Sequence, residues 1–282
     1  MRYQWLPDKI YIFLKFFYHF WKFPNLSNPR TFNEKIQWLK LYDRRPEYTV
    51  MVDKYAAKQW IGERIGEEYV IPTLGVWERT EDIDFDALPD RFVLKTNHNS
   101  GGVLICKDKS ALDRSQVIQV MNVYLAKNGF FYGREWPYKN VFPRIIAETY
   151  LEDEPGKTLV DYKVFCFNGE PKIVMVGKGD PHGAGRTRDF YDLELNLLPL
   201  TNGTTNSEEL ITQLPQLKEI LSIAEKLSAG IPHLRVDTYI VNGRVYVGEL
   251  TFYHNSGFVP FKPESWDRKL GEWIQLPEKT AG

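Results

Sequence analysis

The sequence predicts an α+β fold: two α+β subdomains with antiparallel sheets, preceded by a helical N-terminal segment. Three observations predict it. Residues 1–66 read as mainly helical. Two long β-branched runs turn back at Asn168-Gly169 and Asn242-Gly243, the dipeptide that two-residue hairpin turns favour. The strands also lack the regular strand–helix–strand alternation that builds a parallel sheet.

The elements follow in order. The run IYIFLKFFYHFWKF (10–23) reads as a helix in which Lys15, His19 and Lys22 share one face, near Tyr11 and Tyr18. A basic stripe on an aromatic helix suits a membrane surface, or a helix docked on the protein's own core with its stripe in water. The run falls short of the about 20 apolar residues that span a bilayer. It lacks the cleavage site of a secretory leader, so the expected location is cytoplasmic, with peripheral contact at the inner face of the plasma membrane. Thr31 and Glu34 form a capping-box pattern that starts a helix near Phe32 and buries Ile36, Trp38 and Leu39. PEYTVMVDKYAAKQWIGERIG reads as one further helix, starting near Tyr48 or Val52 and ending at Gly62 or Gly66.

YVIPTLGVW is strand-like, and RFVLKTNHNSGGVLICKD reads as two strands joined by a polar, Gly-rich loop. LDRSQVIQVMNVYLAKNG is a helix ended by Gly129, FFYGREWPYKNVFP an aromatic loop, and RIIAETYL a strand. A hairpin follows in 159–179, then a Gly/Arg loop, HGAGRTRD. SEELITQLPQLKEILSIAEKLSAG is mostly helical, and a last hairpin spans 233–257.

Composition narrows the function classes. Thirty-six basic and 37 acidic residues give a net charge of −1, which excludes a uniformly basic nucleic-acid binder. With 43% hydrophobic residues the chain is not a disordered acidic one. The charge is uneven: residues 1–50 carry nine basic and four acidic residues, a surplus of +5. Cys106 and Cys166 lie in strand-like runs and read as small buried hydrophobes.

Two constellations carry chemistry. In Lys95-Thr96-Asn97-His98-Asn99-Ser100-Gly101-Gly102 a lysine ends one strand and a Ser/Gly loop opens the next. Glycines let backbone N–H groups approach an anion and the lysine adds a charge, which suits nucleotide phosphates; the alternative is a polar hairpin turn. The Walker pattern is absent. In Arg235-Val236-Asp237 and Glu249-Leu250-Thr251, strand alternation places Glu249 on the side of Val247 and Thr251, opposite Arg235 and Asp237 across a hairpin. Such a hard oxygen set holds Mg²⁺ with substrate phosphates; the alternative is a cross-strand charge set with an Arg235–Glu249 pair.

Asp53-Lys54, Lys95 to Gly102, Ile146-Ala147-Glu148, Arg235-Val236-Asp237 and Glu249-x-Thr251 occur in an order that resembles the ATP-grasp superfamily. NPRTFNEKIQWLKLYDR, VLKTNHNSGG, REWPYKN, DYKVFCFNGEPK and RVDTYIVNGRVYVGELTFY resemble more closely the TupA-like ATP-grasp family, associated with bacterial cell-surface polysaccharide biosynthesis. The resemblance runs from about Leu6 to Pro277. It implies an ATP-grasp fold with a helical segment at 1–66, a lid subdomain at 67–147 and a catalytic subdomain at 148–282.

It also implies roles. Lys54 contacts the α-phosphate, Lys95 the α- and β-phosphates, and Ser100-Gly101-Gly102 closes over the β- and γ-phosphates. Glu148 to Leu151 forms the adenine hinge, with the backbone of Thr149 and Leu151 on the purine edge. Glu154, or else Glu152, takes the ribose. Asp237 and Glu249 bind Mg²⁺ with Thr251, and Arg235 neutralises the phosphoryl group in transit. Lys163 and Arg188 are further phosphate or substrate contacts. Where the superfamily often has E-x-N, this chain has Glu249-Leu250-Thr251, a weaker ligand set for a second metal.

The implied activity is an ATP- and Mg²⁺-dependent carboxylate–amine ligase releasing ADP and phosphate. Its expected partners are a sugar carboxylate acceptor and an amine donor, with no nucleic acid. The loops 133–139 and 185–188 offer aromatic rings and arginines, including Arg134 and Arg188, for an acceptor. Two other readings are a glycosyltransferase, against which the absence of a D-x-D loop counts, and a non-catalytic nucleotide-binding module. His98 and His254 lie beside the predicted site loops, whereas His19, His182 and His233 belong to no constellation.

Overall fold

A computed structural model describes residues 4–179 and 185–279; His182 lies outside the described residues. The fold is α+β, and every strand pairing is antiparallel. The chain packs as two compact units, one spanning Arg45–Leu151 and the other combining the described residues on either side of it.

Four helices open the chain: α1 (Asp8–Phe20), α2 (Phe32–Tyr42), α3 (Glu47–Val52) and α4 (Ala56–Ile65). They divide between the units, α1 and α2 with the flanking residues, α3 and α4 with Arg45–Leu151. The capping box forms as expected: Glu34 N–H donates to Thr31 Oγ1 at 3.3 Å and Thr31 N–H to Glu34 Oε2 at 3.2 Å. Ile36, Trp38 and Leu39 are buried. The single helix expected over 46–66 is instead two. The Asp53 carboxylate accepts from the N–H groups of Tyr55 (2.9 Å) and Ala56 (3.3 Å), which interrupts α3 and starts α4.

The α1 stripe faces water only in part: His19 and Lys22 are exposed, and Lys15 is half-buried. Lys15 Nζ lies 4.8 Å from the Phe258 ring centre, the His19 ring stacks on Phe258, and Lys22 pairs with Glu264 at 2.6 Å. These contacts hold α1 against the protein along one edge of the stripe, beside the buried Ile12 and Phe16.

In the unit Arg45–Leu151 the strands β1 (Thr73–Trp77), β2 (Phe92–Thr96), β3 (Val103–Cys106) and β4 (Ile145–Thr149) form a sheet of order β1-β4-β2-β3. Helix α5 (Arg114–Leu125) covers it, joining Val117 and Met121 to Phe92, Leu94, Ile145 and Ala147 in one core. The expected aromatic loop at 130–143 contains a short helix, α6 (Phe130–Gly133), and a 3₁₀ turn at Trp136–Asn140.

In the other unit β5 (Asp161–Phe167), β6 (Glu170–Lys178), β7 (Thr187–Tyr191), β8 (His233–Val241) and β9 (Arg244–Thr251) form a sheet of order β7-β6-β5-β8-β9. Both Asn-Gly turns form with positive φ at both residues. β7 falls in the expected Gly/Arg loop; its alternation is masked by charge, and pairing with β6 supplies the order. α7 (Leu217–Ser228) is shorter than expected because Pro215 cannot sit inside a helix. α8 (Ser265–Trp273), unforeseen, contains Gly271, where a Cβ would stand 2.3 Å from Arg30 O.

The two faces of this sheet differ. Val164 and Cys166 pack towards α7, with the Cys166 thiol 3.7 Å from Ala224 O. Burial pushes that thiol up to about 12. On the opposite face Phe32 of α2 meets Phe167, His233 and Phe261, and Trp273 of α8 meets Phe167. That covers one end of the face. The other end carries Asp161 and Lys163.

His233 gives a pH prediction. It is buried, its Nδ1 bonds Cys166 O at 2.9 Å, and burial lowers its pKa to about 3. A folded pKa below the unfolded value means that the unfolded chain binds the proton first. Stability is therefore expected to fall as pH drops below about 6.5, at up to about 1.4 kcal/mol per unit for this residue. Burial also lowers His98 and His254, which steepens the same slope. Urea midpoints between pH 7 and pH 5 check this, and His233→Asn is expected to flatten the slope.

Candidate functional site

The unit Arg45–Leu151 holds a buried ion cluster. Lys95 leaves β2 and Glu148 leaves β4, the strand paired with it. Lys95 Nζ contacts Glu148 Oε2, and Lys58 Nζ of α4 lies 2.8 Å from Glu148 Oε1. Lys58 also donates to Ile71 O at 2.5 Å. Burial lowers the Lys58 pKa against the pull of Glu148. For Glu148, burial pushes the carboxyl up, but the charges of Lys95 and Lys58 outweigh it and hold the pKa below the ordinary range. Two cations thus share one buried carboxylate. Beside Lys58 opens a cleft of about 450 Å³, also lined by Tyr55, Gln59, Ile71 and Thr73, a size that suits a small ligand.

The β2–β3 loop is built tightly. Lys54 Nζ donates to Asn99 O at 2.8 Å. Asn97 Nδ2 donates to Asp53 Oδ1 (2.8 Å) and Phe142 O (2.9 Å), and Thr96 Oγ1 donates to Asn99 Oδ1 (2.7 Å). His98, buried, lies 3.2 Å from Asn97 Oδ1. Gly102 has φ +57°, and a Cβ there would stand 2.5 Å from Thr96 Oγ1 and 2.9 Å from Tyr124 Cβ. Gly102→Ala is expected to destabilise the fold by more than the about 1–2 kcal/mol of a left-handed residue alone. Urea denaturation measures it.

The second cluster lies on the open end of the five-stranded sheet. Lys163 pairs with Asp237 in register across β5 and β8, and Asp237 pairs with Glu249 across β8 and β9. Arg235 Nε and Nη2 donate to Asp237 Oδ1 (2.6 Å) and Oδ2 (2.7 Å), and Lys163 Nζ donates to Oδ2 (2.6 Å). Burial pushes the Asp237 carboxyl up, but Arg235 and Lys163 prevail and its pKa is lowered. Arg235 Nη2 also donates to Thr251 Oγ1 at 3.1 Å.

A bulge corrects one sequence expectation. Between Asp237 and Thr238 the register shifts, so Val247 faces Thr238 while Glu249 faces Asp237. Neighbours on β8 project to opposite faces. Glu249 therefore shares the face of Asp237, Arg235 and Thr251, and Val247 is buried on the other.

Asp161, Tyr239 and Asn202, absent from the sequence reading, complete this cluster with His254 and Arg188, which it places near the site. Asp161 lies 3.4 Å from Lys163 and 3.8 Å from Arg186. Burial, Asp161, Asp237 and Glu249 raise the Tyr239 pKa well above its usual value. His254 Nδ1 stands 2.6 Å from Arg235 Nη1. A guanidinium only donates, so Nδ1 accepts and the ring proton sits on Nε2, which faces Asn202 Oδ1 at 3.0 Å. His254 opens a turn in which Asn255, Ser256 and Gly257 all have positive φ. Lys40 and Gln37 of α2 donate to Ser256 O and Gly257 O and brace that turn. Arg188 donates to Asn202 O at 3.3 Å; burial, with Arg186 and Arg235 nearby, lowers its pKa to about 10.

A family model described as TupA-like ATPgrasp matches residues 34–275. The chain belongs to the TupA-like ATP-grasp family. No curated protein sequence matches it. Solved structures similar to it include a D-alanine–D-alanine ligase from Bacillus anthracis complexed with ATP, at 19% identity and TM-score 0.44, covering 72% of this chain and 55% of that one. The D-alanine–D-alanine ligase from Helicobacter pylori has 12% identity and TM-score 0.45, covering 86% and 69%. The ATP-grasp ligase PsnB, complexed with minimal precursor, Mg and ADP, has 13% identity and TM-score 0.41, covering 78% and 57%. The chain thus spans little more than half the length of the first of these, and membership of the TupA-like family rests on the sequence match.

The residues singled out by the sequence resemblance fall as follows. Lys163, Arg235, Asp237, Glu249 and Thr251 lie on the neighbouring strands β5, β8 and β9, and Arg188 lies on β7 of the same sheet, beyond β6. Lys95 and Glu148 meet, joined by Lys58, whereas Lys54 is tied to the loop that carries Ser100, Gly101 and Gly102. Thr149 N–H already donates to Pro72 O at 3.1 Å. Leu151 is half-buried, and Glu154 is exposed and paired with Lys157 at 2.6 Å. Arg134 is buried against Phe130 and Phe131 and does not face solvent as the acceptor reading requires.

The donor set fits Mg²⁺. Asp237 and Glu249 supply carboxylates from adjacent strands, and Mg²⁺ takes one or two with phosphates and waters. Arg235 and Lys163 occupy three of the about four lone-pair sites of Asp237, leaving one on Oδ1. Among the described residues no group of three or more His, Cys, Asp and Glu gathers as a dedicated metal cage.

Proposed function

We propose that this TupA-like ATP-grasp protein is an ATP- and Mg²⁺-dependent carboxylate–amine ligase. Its substrates are a uronic acid of a cell-surface polysaccharide or its precursor, and an amino acid or small amine. The observation that supports it best is the charged end of the five-stranded sheet, where Arg235 and Lys163 flank Asp237, with Glu249 across from it.

A carboxylate does not react with an amine at neutral pH, because its leaving group would be oxide. In the proposed reaction a carboxylate oxygen attacks the γ-phosphorus, the bond to the β-phosphate oxygen breaks, and ADP leaves. The amine then attacks the acylphosphate carbon, and phosphate leaves. Both steps build negative charge on oxygen, which preorganised cations stabilise. Arg235, Lys163 and Arg188 take that charge. Asp237 and Glu249, with Thr251, would hold Mg²⁺, which would supply positive charge to the phosphates.

Lys95, with Lys58, serves the α- and β-phosphates, and Glu148 fixes both ammonium groups. Ser100, Gly101 and Gly102, tethered through Asn99 to Lys54, serve the β- and γ-phosphates. With the Thr149 N–H engaged, the purine edge falls to the Thr149 carbonyl and to Leu151. Glu154 or Glu152 takes the ribose. No nucleophilic side chain is required, and both cysteines are buried.

The test is ADP release from ATP with a panel of uronates and amines. Release that needs both is the expected result; AMP as product contradicts the mechanism.

A further inference from the structure

α1 docks through Ile12 and Phe16, which leaves the opposite face outward. Ile10, Leu14, Phe17, Tyr18 and Trp21 recur at three- and four-residue intervals, and all are exposed, Tyr18 by 77% and Trp21 by 80%. No charged side chain interrupts that face; Lys9 and Lys15 fall at its margins. Trp5 and Phe23 extend it and are exposed as well.

The patch is ordered rather than loose. Trp21 closes α1 with φ 55°, its N–H donating to Phe17 O at 2.8 Å. A left-handed C-terminal position is ordinarily glycine or asparagine, and a bulky residue there is strained. The turn brings Phe23 onto Phe17 at 4.9 Å and Trp21 edge-on to Phe17 at 6.0 Å. The fold thus accepts strain to hold a tryptophan in water.

Charge selects the occupant. The two acids that reach this helix, Asp8 and Glu264, are paired with Arg44 and Lys22. The exposed basic side chains of this segment are Lys9, beside the apolar face, and Lys22, next to Trp21 and 45% exposed. Tryptophan and tyrosine rings prefer the headgroup level of a bilayer, and anionic headgroups attract a basic margin. Among the described residues no helix is long and apolar enough to cross a membrane.

We infer that α1 docks flat on an anionic lipid surface through Ile10, Leu14, Phe17, Tyr18 and Trp21. The site chemistry is independent of this face, so a lipid-linked acceptor is compatible with it but not required.

The experiment is co-sedimentation of the full chain with vesicles of phosphatidylcholine alone, or with about one third phosphatidylglycerol. Binding to the anionic vesicles, weakened by salt, is expected. Leu14→Ser with Trp21→Gly is expected to lower the bound fraction about tenfold. Its melting temperature should hold, because Leu14 is exposed and glycine relieves the left-handed strain at 21. Lys9→Glu, which touches no ring, should also weaken anionic binding. Wild-type protein left in the supernatant with both vesicles overturns the inference, as does undiminished binding by the substituted chains. A dimer in sedimentation velocity that the double substitution dissociates, without lipid binding, assigns the face to a second copy and equally overturns it.

Discussion

Asp237→Ala is expected to destabilise the fold by about 3–5 kcal/mol, the loss seen when one member of a buried ion set is removed. Asp237 is 3% exposed, and its carboxylate is the shared partner of Arg235 and Lys163. Without it Arg235 and Lys163, on adjacent strands, lose their shared close partner and keep only the longer-range charges of Asp161 and Glu249. Asp237→Asn keeps the shape and one acceptor oxygen, so a smaller loss of stability is expected. The expected loss of turnover is large, about 10³-fold or more, because the charge that positions Arg235 and would hold Mg²⁺ is gone. Urea unfolding and ADP release separate the two effects. An Asp237→Asn chain with wild-type turnover would falsify the assigned role.

Glu148→Ala is expected to be of similar size in stability, about 3–5 kcal/mol, for the same reason in the other unit. Lys58 and Lys95 both rest on this carboxylate, which is 4% exposed. Because the two lysines hold its pKa below the ordinary value, its stabilisation is present above about pH 4.3 and is lost as pH falls through the folded pKa. Removing Lys58 together with Glu148 should cost less than the sum of the single changes, since each relieves the charge that the other leaves behind. Strict additivity in that cycle would show that Lys58 and Glu148 act separately. In nucleotide binding, Lys58→Met is expected to weaken ATP more than Lys54→Met, since Lys58 and not Lys54 stands beside Lys95.

Local signals carried much of this. The Asn-Gly hairpins, the Thr31–Glu34 box and the alternation around Arg235 and Asp237 depend on residues within a few positions, and all form. Signals that depend on distant partners did not read through. The α1 stripe contacts the protein at Phe258 and Glu264, far along the chain, although His19 and Lys22 stay exposed. The bulge at Gly248 breaks the alternation that put Val247 beside Glu249, and the glycine inside the strand was its one local mark. Lys58 was passed over although Asp53-Lys54-x-x-x-Lys58 offers two lysines four apart. The helix break at Asp53 decides which of them faces Glu148. His254, Asn202 and Lys40 converge from three parts of the chain, and no spacing pattern links them. The chemistry-bearing strands were legible, whereas the residues that brace Arg235 were not.

The central claim is phosphoryl transfer from ATP to a carboxylate. Its most direct measurement follows ¹⁸O from a labelled uronate into the products when the amine is present. Formation of the acylphosphate makes a carboxylate oxygen the bridge to phosphorus, so amine attack must release inorganic phosphate carrying one ¹⁸O, together with ADP. Unlabelled phosphate, or AMP with pyrophosphate, would contradict the account.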